Sequence, residues 1–389
     1  MKSKFTSILM FFIVLAIFGV LGILGFSFIQ EFIGSSNDKT EQASVKTETS
    51  NSENDNKTII ENTIEKNIET PKIKVNESSN TNPLEELENG SNSTSQINYD
   101  SISVNKYFYN QLDSTSQIIY KAFESNKQNM KTGTFKIALG DSFTNVLSRT
   151  NGQDELGDYY QSAIEAYLYD NPDVFYLSPN KMYLNIETTT RGNSKTYNTF
   201  IDCGEQANYF TDEFNSKYEV ETAVQTLESI KQQVLSKRTG NTYEDIKMVH
   251  DYLINSIDYD NTVSEKNIYN IYGALVNKKC VCEGYAKALK YLLDGMGIDN
   301  TLVIGTATNT DGQSENHAWN YVKLNGVWYA IDSTWDDPII IGNGYVSDNI
   351  KYKYFLKGSN TMNSNHFPSG TFTEGGKIFV YPNLNMSDY

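Results

Sequence analysis

Cysteine is scarce in this 389-residue chain: only Cys203, Cys280 and Cys282 occur. An odd, low count excludes a disulfide framework. Histidine is as rare, with three residues, and Cys280-Val281-Cys282 is spaced too tightly for the thiolate pair of a structural zinc site. No metal and no cofactor is therefore expected. Positive charge is short too: 32 Lys and Arg stand against 48 Asp and Glu, a formal net charge of −16. Phosphate binding needs a basic footprint, so nucleic acid is excluded as a partner. Internal repeats are lacking. Aromatic residues are plentiful, with 27 Tyr and 19 Phe to fill a core, and the length suffices for two domains of ordinary size.

The longest apolar run is Phe5–Ile29, uninterrupted by charge, with Lys2 and Lys4 before it and Gln30-Glu31 after it. A helix of about 20 apolar residues spans a bilayer. We expect a cytoplasmic tail at 1–4 and an uncleaved transmembrane signal-anchor helix at 5–30. The positive-inside rule then makes this a single-pass cell-membrane protein with its catalytic domain extracellular. A cleaved signal peptide is the alternative, with Gly25-Phe26-Ser27 as a weak cleavage site. Residues 34–100 are rich in Ser, Asn, Thr, Glu and Lys and bury too little apolar surface to offset chain entropy, which predicts a disordered stalk.

From 101 the composition turns globular. Residues 101–215 read as a supporting α+β region. Its elements are a helix over Ser114–Met130, a strand over Thr134–Leu139, and a helix over Tyr159–Tyr169 ending before Asn171-Pro172. A hairpin pairs Lys181–Glu187 with Thr196–Cys203. No catalytic constellation occurs there; substrate binding is the alternative to support. Residues 216–389 begin with helices at Tyr218–Leu235 and Thr242–Ile257, the second opened by a capping-box-like Thr242…Asp245. His250 lies on its apolar stripe and reads as a hydrogen-bonded core residue.

The chemistry concentrates between Cys280 and Pro338. Cys282 opens a helix that runs from Glu283 to Asp294 and stops at Gly295 or Gly297. Helix-start N–H groups and the helix dipole favour a thiolate there and can hold an oxyanion. Cys280, two residues earlier, lacks that placement. Asn316–Leu324 and Val327–Ile331 flank Asn325-Gly326, the strongest short-range hairpin signal. A two-residue loop makes Trp319 face Asp332 and His317 face Thr334. His317 and Asp332 are then diagonal neighbours on one sheet face, within reach of each other. Cys282 as nucleophile, His317 as base and Asp332 as base-orienter follow. Trp319 and Trp335 read as channel walls or packing. Asp336 and Asp337 read as a solvated turn, with a calcium-binding or amine-attracting patch as the alternative.

Cys282-Glu283-Gly284-Tyr285-Ala286, His317-Ala318-Trp319-Asn320 and Trp328-Tyr-Ala-Ile-Asp-Ser-Thr-Trp-Asp-Asp-Pro338 resemble the bacterial transglutaminase-like superfamily, over about Tyr243–Pro338. The resemblance implies an α+β, papain-like core, with the cysteine helix packed on an antiparallel sheet. It carries over Cys282, His317 and Asp332 as the triad. Val276 stands where a papain-type oxyanion glutamine would be, so the second oxyanion donor is open, with Tyr272 as a candidate. Asn365-His366-Phe367 resembles the closing segment; His366 reads as packing, with an approach to the site from a loop as the alternative, and Lys377–Tyr381 as a final strand. The family holds γ-glutamyl transferases, peptidases, amide hydrolases and silent members. The expectation is an enzyme acting on protein or peptide amide bonds, cell-wall peptide included, through an acyl-thioester. The rivals are a cell-surface cysteine peptidase or cell-wall amide hydrolase with the same triad, and a catalytically silent binding module.

Overall fold

Hydrophobic period sets the elements of this computed structural model, which describes residues 72–78, 97–337, 347–371 and 376–389, all within one packed unit, Ser52–Tyr389. The apolar run Phe5–Ile29 lies outside the described residues. Among those described, no helix is long and apolar enough to cross a membrane.

The first region joins β1 (Lys72–Ser78), α1 (Ser114–Asn126), β2 (Ile137–Gly140), α2 (Gly152–Asp170), β3 (Tyr183–Arg191) and β4 (Ser194–Asp202). The sheet order is β1-β3-β4-β2, with β1 parallel to β3 and the other pairs antiparallel. β1 corrects the reading of 34–100 as a disordered stalk throughout. Lys-Ile-Lys-Val-Asn-Glu-Ser alternates with period two, and a partner strand supplies the ladder that composition alone does not foresee. α1 is capped by the Asp113 carboxylate, which accepts from Thr115 N and Ser116 N at 2.9 and 3.0 Å. It buries Ile119, Tyr120 and Phe123. The β3–β4 hairpin closes with Arg191 opposite Ser194, around Gly192-Asn193.

The second region contains α3 (Lys217–Leu235), α4 (Thr242–Ser256), the short parallel pair β5 (Asp258–Tyr259) and β6 (Lys279–Cys280), and a π-helical turn at Gly273–Asn277. Then come α5 (Cys282–Met296), β7 (Asn300–Thr308), β8 (Ser314–Leu324), β9 (Val327–Ile331) and β10 (His366–Pro368). The cap of α4 is Asn241 rather than Thr242: its side chain accepts from Glu244 N at 3.2 Å. Asp245 instead holds the preceding loop, accepting from Thr239 N at 2.7 Å and Gly240 N at 3.2 Å. α5 ends at Gly297, whose φ of 71° is the left-handed conformation of a helix stop.

β10-β7-β8-β9 form an antiparallel sheet. Asn325 and Gly326 both have positive φ, 54° and 81°, as a type I′ turn requires. The register follows: Leu324 pairs with Val327 and Asn320 with Ile331. Side chains alternate across the sheet. Ala318 and Val322 join the main core with Ala286, Leu289 and Leu293 of α5. Trp319 and Tyr321 join a second cluster with Val303, Ala330, Tyr354 and Met362. The expected strand at 377–381 is not formed. That segment is held by side chains instead: Ile304 N donates to Tyr381 Oη at 3.0 Å, and Tyr107 Oη to Val380 O at 2.7 Å. The strand that does close the sheet edge is β10.

Gly305 faces His317 across the sheet. A Cβ there would lie 2.3 Å from Phe367 O and 2.7 Å from a Trp319 ring carbon, backbone and buried indole alike. Gly305→Ala is expected to destabilise the protein by about 1–3 kcal/mol through overpacking between β7 and β10. Urea denaturation measures it; an unchanged midpoint would show that β10 does not sit tightly on β7.

Candidate active site

The hairpin register puts Asp332 one residue beyond β9, diagonal to His317. His317 Nε2 meets Asp332 Oδ2 at 2.8 Å, and both side chains are 0 % exposed. The carboxylate's other oxygen, Oδ1, accepts from Thr334 N at 3.0 Å and Trp335 N at 3.3 Å. A third contact comes from a histidine that the sequence leaves between packing and an approach to the site. His366, on β10, brings its Nε2 to Asp332 Oδ2 at 3.1 Å. Asp332 thus accepts four N–H groups. Burial pushes its carboxyl pKa up, but the attraction and hydrogen bond of His317, aided by His366, outweigh that and hold it well below the usual carboxylate range. With Nε2 of His317 donating to Asp332, Nδ1 is the ring nitrogen able to take a proton from a thiol.

Cys282 is the first residue of α5, and Val281 in the cap position supplies no side-chain bond to the helix N–H groups. First-turn N–H groups have no acceptor within a helix, so an uncapped start favours an anion. Three tethers fix that start. Val281 N donates to Ile268 O at 3.0 Å. Tyr285 Oη donates to Asp337, with Ile257 O also 3.1 Å from it. Asn320 Nδ2, three residues along β8 from His317, donates to Ala286 O at 2.9 Å. The beginning of α5 is thereby bound to the strand that carries His317 and to the turn that carries Asp332.

The other two thiols differ. Burial, with the neighbouring Cys282 and acidic groups adding to it, pushes the Cys280 thiol well up. It packs against Gly284, where a Cβ would stand 2.7 Å from its Sγ. Burial also raises Cys203, which follows β4 in the other region. No disulfide joins the three.

Trp319 is 1 % exposed, its ring centroid 5.9 Å from His317 and 5.1 Å from His366, so it is packing behind the imidazoles and not a channel wall. Trp335 is half-buried and covers the pair at 5.4 Å from His317 and 4.7 Å from His366. Tyr272 is drawn elsewhere: its ring stacks on Phe175 at 5.9 Å and meets Phe214 edge-on at 5.5 Å. Those aromatics come from the first 215 residues and were invisible from the local sequence.

Asp336 is not solvated. It is fully buried, with His250 Nε2 at 3.1 Å on one oxygen and Tyr354 N at 2.7 Å on the other. Burial pushes its pKa up to about 6 against the pull of His250. His250, whose pKa is lowered by burial but raised on balance by Asp251 and Asp336, is the core histidine the apolar stripe implied.

The donors of His317, Asp332 and His366 lie within 4.8 Å of one another, close enough for a metal. Their Nε2–Oδ2 separations of 2.8 and 3.1 Å are those of N–H···O hydrogen bonds. A cleft of about 480 Å³ reaches the first turn of α5 at Glu283, and its lining includes none of Cys282, His317 and Asp332. It runs between Tyr169, Pro172 and Phe175 on one side and Ile268 on the other.

Residues 228–333 match the family model of the transglutaminase-like superfamily core. No curated protein matches the chain by sequence. Among solved structures, a transglutaminase is 15 % identical over 45 % of this chain and 50 % of its own, with a TM-score of 0.27. The periplasmic domain of TgpA from Pseudomonas aeruginosa, bound to ethylmercury, is 12 % identical over 36 % of this chain and 56 % of its own, at 0.22. An arylamine N-acetyltransferase from Bacillus cereus, named for a Cys-His-Glu triad, is 16 % identical over 27 % of this chain and 49 % of its own, at 0.19. This chain thus spans about half the length of each. Scores this low carry no argument about function.

Asp332→Asn keeps the shape and removes the charge between two imidazoles. We expect a loss of about 3–5 kcal/mol at neutral pH, the range for breaking a buried pair. Because the folded carboxyl is held below its unfolded value near 3.9, its stabilisation is present above that value and is lost as pH falls. Urea midpoints of the two proteins should therefore begin to converge below about pH 5, keep most of their gap at about pH 3, and go on converging as pH falls toward the folded carboxyl's own range. A constant gap would show that the charge of Asp332 is not what stabilises the fold.

Proposed function

Taking residues 228–333 as a transglutaminase-like core, we propose that this chain is a cysteine acyltransferase or hydrolase that acts on protein or peptide amide bonds. The observation that carries the proposal is the buried His317–Asp332 pair at 2.8 Å, tethered to a helix that starts with Cys282. In the proposed reaction, His317 Nδ1 takes the thiol proton and Cys282 Sγ attacks the amide carbonyl. The oxyanion forms against the first-turn N–H groups of α5. The imidazolium returns the proton to the leaving amine as the C–N bond breaks, leaving an acyl-thioester on Sγ. An amine or a water then attacks that carbonyl, the C–S bond breaks, and the thiol is restored. Asp332 holds the tautomer and balances the imidazolium.

The apolar run Phe5–Ile29, with Lys2 and Lys4 just before it and Gln30-Glu31 just after it, supports placing the enzyme on the outer face of a cell membrane, where surface or cell-wall peptides are the substrates at hand. Hydrolysis, the reading of a peptidase or cell-wall amide hydrolase, uses the same residues.

Labelling of the full-length protein by a thiol-reactive acyl analogue is expected to vanish in Cys282→Ala and to persist in Cys280→Ala and Cys203→Ala. Turnover by Cys282→Ala would end the proposal. Incubation with a glutamine-containing peptide and a labelled amine separates the two outcomes: incorporated amine means transfer, and cleavage or deamidation alone means hydrolysis.

A further inference from the structure

We propose that His366 is a positioning residue for the reaction proposed above: it donates to the Asp332 oxygen that orients His317, and so fixes the carboxylate on which the base depends. This rests on the reading of Cys282, His317 and Asp332 as a triad.

The first argument is register. β10 has three residues at a sheet edge, and it buries His366 to 1 % exposure while leaving Phe367 48 % exposed. Side chains alternate along a strand, so a slip of one residue would exchange them. Hydrophobic burial alone would choose the phenylalanine. The observed pairing, His366 opposite Ala307, places the imidazole on the sheet face that carries His317.

The second argument is the ring's bonding. Nε2 lies 3.1 Å from Asp332 Oδ2, and Nδ1 lies 2.8 Å from Asn365 Oδ1. Asn365 is itself fixed, its Nδ2 donating to Tyr354 Oη at 2.9 Å. Tyr354 also accepts from Asp332 N, at 3.1 Å. A closed loop of bonds thus runs from the Asp332 backbone through Tyr354, Asn365 and His366 to the Asp332 carboxylate. Two backbone N–H groups grip Oδ1. His366 is the second group on Oδ2, beside His317. The titratable groups around this carboxylate are His317 on β8, His366 on β10, and Tyr354 and Asp336 on the segments that follow β9.

A merely structural role is the alternative, because the ring also packs on Trp319, Trp335 and Tyr354. His366→Phe keeps a ring and loses both ring nitrogens. His366→Gln loses the ring and places an amide N–H near the position of Nε2. Positioning predicts that the Phe variant loses about tenfold to a hundredfold in kcat, the range of one hydrogen bond to a charged group, with KM little changed. The Gln variant should recover most of that loss. Should the Phe variant fail to fold, His366→Asn replaces it, since its amide overlays Nδ1 and does not reach Asp332. A second readout needs no turnover: the rate and pH profile of Cys282 alkylation by iodoacetamide in the full-length protein, followed by mass spectrometry. We expect slower alkylation at neutral pH and an inflection moved to higher pH in the Phe variant, with the Gln variant near wild type. Equal alkylation and kcat in all variants, or a Gln variant as impaired as Phe, would overturn the positioning role. A wild-type protein without turnover, but with the Phe–Gln contrast in alkylation intact, would remove the proposed activity and leave this inference standing.

Discussion

A carboxylate buried to 0 % exposure is the constraint around which the site is built. Burying an isolated charge is so unfavourable that the group neutralises unless every lone pair is met. Asp332 meets that demand with four donors, two from the backbone of its own turn and one from each of two imidazoles. Each donor ties down a different part of the chain. Thr334 and Trp335 shape the turn, His317 fixes β8 against it, and His366 brings in β10 from 34 residues further on. The same turn supplies a second buried carboxylate, Asp336, which binds His250 on α4 and the backbone of Tyr354. Asp336 N donates back to Asp332 O at 3.2 Å, so the two acid–imidazole pairs share one rigid bend. They are tuned apart. Asp332, with two imidazoles, is held ionised; Asp336, with one, is raised to about 6.

The sheet separates two tasks by the period of its strands. The face carrying Ala318 and Val322 packs on α5 and belongs to the main core, while Trp319 and Tyr321 face the smaller cluster beneath the imidazoles. α5 enters this frame with an uncapped start. A serine or aspartate at position 281 would stabilise the helix and occupy the N–H groups. Valine offers no such side chain, and Cys282 is the first residue of the helix it opens. Two residues earlier, Cys280 is pressed against Gly284, with acidic neighbours and no helix start, so burial drives its proton affinity up. The choice between the thiols is made by backbone position.

Whatever depends on a short stretch of chain was legible beforehand. Asn325-Gly326 dictates a two-residue turn, the turn dictates the register, and the register puts Asp332 diagonal to His317. The helix start at Cys282 follows from local pattern in the same way, as does a stop at Gly295 or Gly297, of which the structure uses Gly297. What could not be read rests on pairings between distant segments. His366 reaches Asp332 only because β10 adds to the far edge of β7, which no local period announces. Asp336 looked solvated because Trp-Asp-Asp-Pro is a turn sequence; His250, 86 residues upstream, makes it a core group. Trp319 was open between wall and packing until the second cluster showed it enclosed. β1 was hidden in a composition typical of disorder because its partner strand is over a hundred residues away.

Tyr272 shows why distant packing also matters for the cleft. Its ring is held by Phe175 and Phe214, which belong to the region expected only to support the core. The cleft beside Glu283 has that region as one wall, along Tyr169, Pro172 and Phe175, and the segment of the second region around Ile268 as the other. The aromatic contact therefore fixes the spacing of the two walls. Ile268 O in turn accepts from Val281 N, so the wall that borders the cleft is hydrogen-bonded to the residue just before Cys282. Aromatic stacking sets the width of the cleft, and one backbone hydrogen bond couples it to the helix start. The first region is thus packed on the segment that leads into α5, and its aromatic residues bear on the helix start through Ile268 and Val281 and not through the His317–Asp332 pair.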